Sequence, residues 1–212
     1  MIEFKQILCP IDFSETSIRA LTYATACATW YEAHLEVLHV VPALQDGVTS
    51  GPSGRTGGSP WPVSHGEIMS EMRRVLAAAG AAGVDATMLV QEGLAHEGIV
   101  ARAQAQPADL LVMGTHGWSG FDRLLLGSIA EKVLRRVTCP VLTVPAAAPA
   151  MTAAAVVFTR ILCAIDYSPS ALVGLQYALE LGRQAGGRVT VLHALEYLDP
   201  DVPCEHVDVD SR

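Results

Sequence analysis

The chain has 212 residues, long for one ordinary domain and short for two of typical size. Half of the residues are apolar, 17% are charged and the mean hydropathy is +0.33, a core-forming composition that excludes disorder of the whole chain. Acidic residues (22) outnumber basic ones (14), giving a net charge of −8, which argues against a surface built for the backbone of a nucleic acid.

The charge is unevenly spread. Residues 1–145 carry a net −4, residues 146–195 a net +1, and the last seventeen residues a net −5. Five cysteines occur without a CxxC spacing, and four of them (Cys9, Cys27, Cys139 and Cys163) lie in apolar stretches. Neither a disulfide framework nor a zinc site is expected, and a reducing, cytoplasmic compartment is. Residues at the amino terminus show no signal-peptide pattern. The uncharged run Thr138 to Thr159 contains Pro140, Pro145 and Pro149 and is mostly alanine beyond Val144. It reads as a strand and a linker, so no membrane anchor is expected.

In chain order, Phe4 to Pro10 is a short apolar run with turn chemistry after it, a buried strand. Ser14 can cap the helix that follows, whose apolar stripe includes Ile18, Leu21, Thr25 and Ala28. His34 to Val41 is a second strand. Leu44 to Ser64, rich in Gly, Ser and Pro, is expected to be a mobile loop, with Trp61 in it. Helices are expected over His65–Ala82, Leu94–Gln106 and Ser128–Val137. Strands are expected over Val84–Gln91, Asp109–Gly114 and Pro140–Val144. Strands alternating with helices imply a parallel sheet covered on both faces.

An internal repeat follows. Phe4–Val41 aligns without a gap on Phe158–Leu195 at an offset of 154, with 13 of 38 positions identical. The second copy is expected to start as strand, helix, strand, with Ser168-Pro169 as cap and first-turn proline. Nothing after Leu195 corresponds to the remaining strands. The expected organisation is a complete domain over 1–145, a linker over 146–157, a partial second copy over 158–195 and an acidic, poorly ordered tail over 196–212.

The strongest chemical pattern is Gly114-Thr115-His116-Gly117, nine residues, then Gly127-Ser128. Gly114 ends a strand and Gly127-Ser128 opens a helix. Glycines let a backbone approach a ligand, and a helix start offers unpaired N–H groups that suit a phosphate. Ser128 could cap its own helix or bond a phosphate oxygen. The same glycines could equally serve a tight turn. Asp12 follows the first strand, and in a sheet of order 3-2-1-4-5 it would share a crevice with Gly114. It could also be a helix cap. His39 and His193 hold equivalent positions on strands and read as satisfied strand-end residues. Cys204 and His206 supply too few donors for a metal site. No Walker A sequence, no dinucleotide GxGxxG after the first strand and no nucleophile–histidine spacing is present.

Together these residues resemble the universal stress protein family. Gly114, Gly117, Gly127 and Ser128 fit its Gly-x2-Gly-x9-Gly-Ser/Thr signature in full. Pro10-Ile11-Asp12-Phe13-Ser14, His39-Val40-Val41, Val112-Met113-Gly114 and Pro140 to Pro145 fit its strand signatures. The resemblance implies an α/β, Rossmann-like, doubly wound sheet of five parallel strands in the order 3-2-1-4-5, with a partial β-α-β second copy. It also implies ATP, with Mg2+, as cofactor. Pro10 belongs to the first-strand signature. Ile11 and Val40 would meet the adenine through backbone groups. Asp12 would lie near the ribose or the metal-bridged phosphates. Met113, Gly114 and Gly117 would line the ribose and phosphate loop; Thr115 and His116 lie inside the signature and count among the cofactor-binding candidates, His116 without a role of its own. Gly127, Ser128 and Ile129 would hold the phosphates. Homodimerisation is implied through the fifth strand, Val141 to Val144. Three functions stand at this point: a nucleotide-binding stress regulator, a slow ATPase or phosphotransferase, and an interaction module without nucleotide.

Overall fold

The computed structural model describes residues 3–42, 64–115, 126–149, 152–155 and 158–194. Four expectations lie outside these residues: the loop after Leu44, His116, Gly117 and the acidic tail. Residues Glu3–Val156 form one compact unit, and the remaining described residues belong to a second.

In the first unit β1 (Gln6–Pro10), β2 (His34–Val41), β3 (Ala86–Glu92), β4 (Leu110–Gly114) and β5 (Val141–Val144) form a five-stranded parallel sheet in the order β3-β2-β1-β4-β5. This is the expected order. Ile7, Leu8 and Cys9 and Leu110 to Val112 are buried without alternation, as strands covered on both faces require. The strand order reverses between β1 and β4. Right-handed crossovers therefore put α1 (Glu15–Tyr31) and α2 (His65–Ala78) on one face, and α3 (Ala95–Ala105) and α4 (Ser128–Leu134) on the other. The second face holds a core of Leu8, Leu38, Ile99, Val100, Leu111, Met113 and Val133.

Local chemistry sets the boundaries. Ser14 caps α1, its side chain accepting from the Ser17 N–H. Ser64 and Glu67 close a capping box at the start of α2. That helix stops at Ala78, short of the expected Ala82, because Gly80 turns the chain with φ +80°. β3 begins two residues later than expected, after a turn in which Val84 donates to the Ala81 carbonyl. β1 begins at Gln6 because the Asp109 carboxylate takes the N–H groups of Lys5 and Gln6, at 2.8 and 2.9 Å. α4 ends at Leu134, three residues early, and closes in a turn where Arg136 and Val137 donate to the Val133 carbonyl.

After β5 the alanine-rich segment stays with this unit. Arg19 of α1 donates to the Ala146 carbonyl at 2.6 Å and also to that of Ala148, and a short 3-10 turn spans Ala153–Ala155.

The second unit contains β6 (Arg160–Ala164), α5 (Pro169–Ala185) and β7 (Arg188–Leu192), with β6 and β7 paired in parallel. The expected β-α-β is present, with Ser168 capping and Pro169 in the first turn. Its core is small: Cys163, Ala178 and Val189, with Ile161, Ile165 and Leu175 against them. The other sheet face of this unit is less covered than its counterpart in the first. Leu162 and Leu192 are 66% and 47% exposed, whereas their counterparts Leu8 and Leu38 are 2% and 0% exposed. A leucine gains roughly 1.5–3 kcal/mol from full burial, and these two forgo much of it.

Candidate functional site

A cavity of about 320 Å³ opens at the carboxyl ends of β1 and β4, the point where strand order reverses. Pro10, Ile11 and Asp12 line it from the end of β1, and Leu38 and Val40 from β2. Met113, Gly114 and Thr115 line it from the end of β4, and Gly127, Ser128, Ile129 and Ala130 from the start of α4. Ten residues expected from the sequence thus meet around one space. His116 and Gly117 are outside the described residues.

Ser17, Leu38, Ala95, Ile99 and Ala130 were not expected there. Ser17 stands in the first turn of α1. Ala95 and Ile99 arrive because α3 crosses close over β2: a methyl group at Gly98 would lie 3.1 Å from Val40 Cγ2. That closeness depends on the fold, and a single glycine inside a helix only hints at it.

Each wall has a specific geometry. Gly114 faces α1, and a Cβ there would lie 2.9 Å from Thr16 Cγ2 and 3.1 Å from the Thr16 carbonyl carbon. Gly114 does not have a left-handed φ; the close approach of α1 is what requires glycine. Thr115 donates its N–H to the Val144 carbonyl at 3.1 Å, and its own carbonyl accepts from Gly127 N–H at 2.7 Å. The second bond joins the two ends of the glycine loop and places α4 beside β4.

Gly127, not Ser128, is the N-cap of α4, and no side chain caps the helix. Of the two roles open to Ser128 in the sequence, capping its own helix is the one the structure does not give it: Ser128 is the first helical residue. The first intrahelical bond runs from Glu131 N–H to the Gly127 carbonyl. The helix geometry gives the N–H groups of Ser128, Ile129 and Ala130 no acceptor within α4.

Asp12 is half-buried. Its Oδ1 accepts the Ser14 N–H at 3.0 Å, and its own N–H lies 3.3 Å from Ser17 Oγ. The capping alternative is resolved in favour of Ser14, and Asp12 forms the turn before the cap. Ile11 donates to the Leu38 carbonyl and accepts from His39 Nδ1, both at 2.8 Å. Its N–H and one carbonyl lone pair are therefore already used. The Leu38 carbonyl faces β1 and the Val41 carbonyl faces β3. By strand alternation the polar backbone groups of Val40 face the β1 side, where β1 has ended.

Among the described lining residues Asp12 is the sole ionisable side chain. No group of three or more His, Cys, Asp or Glu side chains among the described residues could hold a metal by itself. A second polar cluster stands apart from the cavity. His34 Nδ1 is 2.9 Å from Asp85 Oδ2 and its Nε2 is 3.0 Å from Thr87 Oγ1. This line of acid, imidazole and hydroxyl sits at the opposite, amino-terminal end of β2 and β3. Asp85 is 82% exposed, so solvent screens the pair.

Comparison with known proteins agrees with this architecture. The Universal stress protein family model matches residues 3–145 and 158–203. A universal stress protein of Methanocaldococcus jannaschii, MJ0531, is 33% identical over 146 residues, 66% of this chain and 82% of its own. YxiE of Bacillus subtilis, another universal stress protein, is 32% identical over 150 residues, 66% of this chain and 99% of its own. The solved structure of MJ0577 superposes with a TM-score of 0.53 at 27% identity, covering 68% of this chain and 96% of that one. A universal stress protein from Archaeoglobus fulgidus covers 92% of this chain and 68% of its own, with a TM-score of 0.64 at 24% identity, a likeness of fold. With the strand order, the crevice and Gly114, Gly127 and Ser128 of the signature in place, the chain belongs to the universal stress protein family.

Proposed function

We propose that the first unit binds a nucleotide, ATP with a divalent cation, in the β1/β4 crevice and serves as a stress-type regulator. The observation that carries this reading is the convergence of Gly114, Gly127 and Ser128, the Asp12 turn and the Val40 strand end on one cavity. Its volume of about 320 Å³ lies at the lower end of the range for small-molecule sites.

The residues fit such a ligand. Leu38, Val40, Ile99 and Met113 offer an apolar slot for a base, with Val40 backbone groups on the crevice side. The N–H groups at the start of α4 suit phosphate oxygens. Asp12 is a hard oxygen donor. One carboxylate is enough for Mg2+, which takes most of its remaining ligands from phosphates and water. The cation would offset the phosphate charge, and this chain's residues would orient the ligand and exclude water. Asp12 supplies the one carboxylate among the described lining residues, and the reading is one of ligand binding.

The reading extends to assembly and place. β5 is an edge strand, bonded to β4 alone in the sheet, and Val141 to Val144 would pair with a second copy in a homodimer. Residues 158–195 would be a truncated second copy of the same domain. The free thiols suit a cytoplasmic setting, and no helix among the described residues is long and apolar enough to cross a membrane.

The test is titration calorimetry of the full chain with Mg-ATP, alongside a variant carrying Gly127→Val and Ser128→Ala. Binding by the wild type and its loss in the variant are expected. Equal affinity in both removes the phosphate site, and no binding by the wild type removes the reading.

A further inference from the structure

The repeat preserves one corner in detail, and the nucleotide reading leaves one of its residues unused. At the end of β1 the chain turns into α1 through Ile11, Asp12 and Phe13. His39 of β2 is 5% exposed and reaches across to this turn, its Nδ1 2.8 Å from the Ile11 carbonyl oxygen. A carbonyl only accepts, so Nδ1 carries the proton and donates. Phe13 adopts φ 61°, and its ring lies 4.6 Å from the imidazole, centroid to centroid. A left-handed conformation is strained for a non-glycine residue and persists where the surroundings over-determine it.

The second copy has the same corner. His193 Nδ1 is 2.8 Å from the Ile165 carbonyl, Tyr167 has φ 61°, and the two rings are 4.7 Å apart. Asp166 Oδ1 accepts the Ser168 N–H at 2.9 Å, as Asp12 Oδ1 does that of Ser14. Tyr167 and His193 are exposed there, so burial does not force the arrangement. The histidine bond and the aromatic contact recur there together with the Asp166 bond and the Ile165 N–H bond to the Leu192 carbonyl.

We infer that His39 is a positioning residue for the cavity: its bond to the Ile11 carbonyl holds the Ile11-Asp12-Phe13 turn, and so aims the Asp12 carboxylate at a bound nucleotide or its cation. The inference rests on the nucleotide reading above. Asp12 lies between two fixed points, the Ile11 carbonyl and the strained Phe13. Without the imidazole the turn can relax Phe13 to an ordinary φ, and Asp12 rotates with it. Burial lowers the His39 pKa, against the opposing pull of the Ile11 bond and the Asp12 charge. The ring is therefore neutral at neutral pH, and it acts through geometry and not through charge.

The test uses the full chain and Mg-ATP, with calorimetry for affinity and circular dichroism for folding. His39→Leu removes the donor and is expected to weaken binding about tenfold, the worth of one hydrogen bond. His39→Asn puts an amide N–H near the Nδ1 position and is expected to restore most of the affinity. His39→Gln reaches towards Nε2 instead and is expected not to. His193→Leu breaks the same bond in the second copy and is expected to leave affinity unchanged. In an Asp12→Asn background, His39→Leu is expected to add little further loss. A folded His39→Leu protein with wild-type affinity, or an undiminished effect in the Asp12→Asn background, overturns the inference while leaving the nucleotide reading intact. If His39→Leu does not fold, equal affinity of the Asn and Gln variants overturns it. A wild type that binds no Mg-ATP overturns both.

Discussion

Gly114 lies against Thr16 so closely that a single methyl group would come within 2.9 Å of Thr16 Cγ2 and 3.2 Å of its carbonyl oxygen. The glycine that ends β4 and borders the cavity is thus also the point where the first turn of α1 rests on the sheet. Gly114→Ala is expected to push α1 away, costing about 1–3 kcal/mol as overpacked sites do. Denaturant melts should show a lower midpoint, and Mg-ATP affinity should fall with it. An alanine variant as stable as the wild type would mean that α1 yields freely.

The ion pair between Glu36 and Arg102 joins β2 to α3. Arg102 donates through both Nε and a terminal nitrogen to the two Glu36 oxygens, and the Glu36 side chain is only 6% exposed. The carboxylate beside it holds the Arg102 pKa above its usual value. Arg102→Ala is expected to cost about 3–5 kcal/mol because it strands a buried carboxylate. Glu36→Gln with Arg102→Met, which removes both charges, should recover much of that loss in urea unfolding. No recovery would show that packing and not charge is at stake.

His39 gives stability a pH dependence of known sign. Its folded pKa is lowered below 6.5, chiefly by burial. The unfolded chain therefore takes up the proton first, and the His39 contribution is full above about 6.5. It is lost as pH falls through the lower folded value. Melting temperatures of the wild type should decline on acidification across this window more than those of His39→Asn. Parallel curves for the two proteins would contradict the assignment.

Two thiols are buried too deeply to react. Burial raises the pKa of Cys9 above the normal thiol range and pushes Cys27 up to about 12. The thiolate is the reactive form, so both should resist a disulfide reagent at neutral pH until the domain unfolds. Mass mapping of labelled peptides with and without denaturant checks this. Fast labelling of either under native conditions would reveal local opening of the sheet.

The second unit depends on its own glycines. A Cβ at Gly182 would lie 2.7 Å from Val189 Cγ2, in a core of few side chains. The equivalent position in the first copy is Ala28, buried without difficulty. Gly182→Ala should therefore loosen α5 from β7 and raise amide exchange over Pro169–Leu192 while leaving Glu3–Val156 protected. Unchanged exchange in α5 would mean that Val189 has room to turn.

The sequence alone determined the elements and their order. Apolar runs such as Ile7-Leu8-Cys9 read as strands buried on both sides, and Ser14 and Ser168 announce helix starts by a chemistry local to a few residues. The signature glycines and Asp12 were visible for the same reason. The repeat made the second β-α-β legible, because equal residues at a fixed offset make equal local bonds. Tertiary structure decided what depends on approach between distant segments. Ser17, Ala95 and Ile99 reach the cavity only because helices cross the sheet where they do. Asp109 clips β1 from over a hundred residues away, Gly127 takes the cap from Ser128 once its N–H meets Thr115, and the Glu36–Arg102 pair forms between a strand and a helix 66 residues apart. Spacing along a chain reports local periodicity; which side chain closes on which carbonyl is set by packing distance, and that exists only after folding.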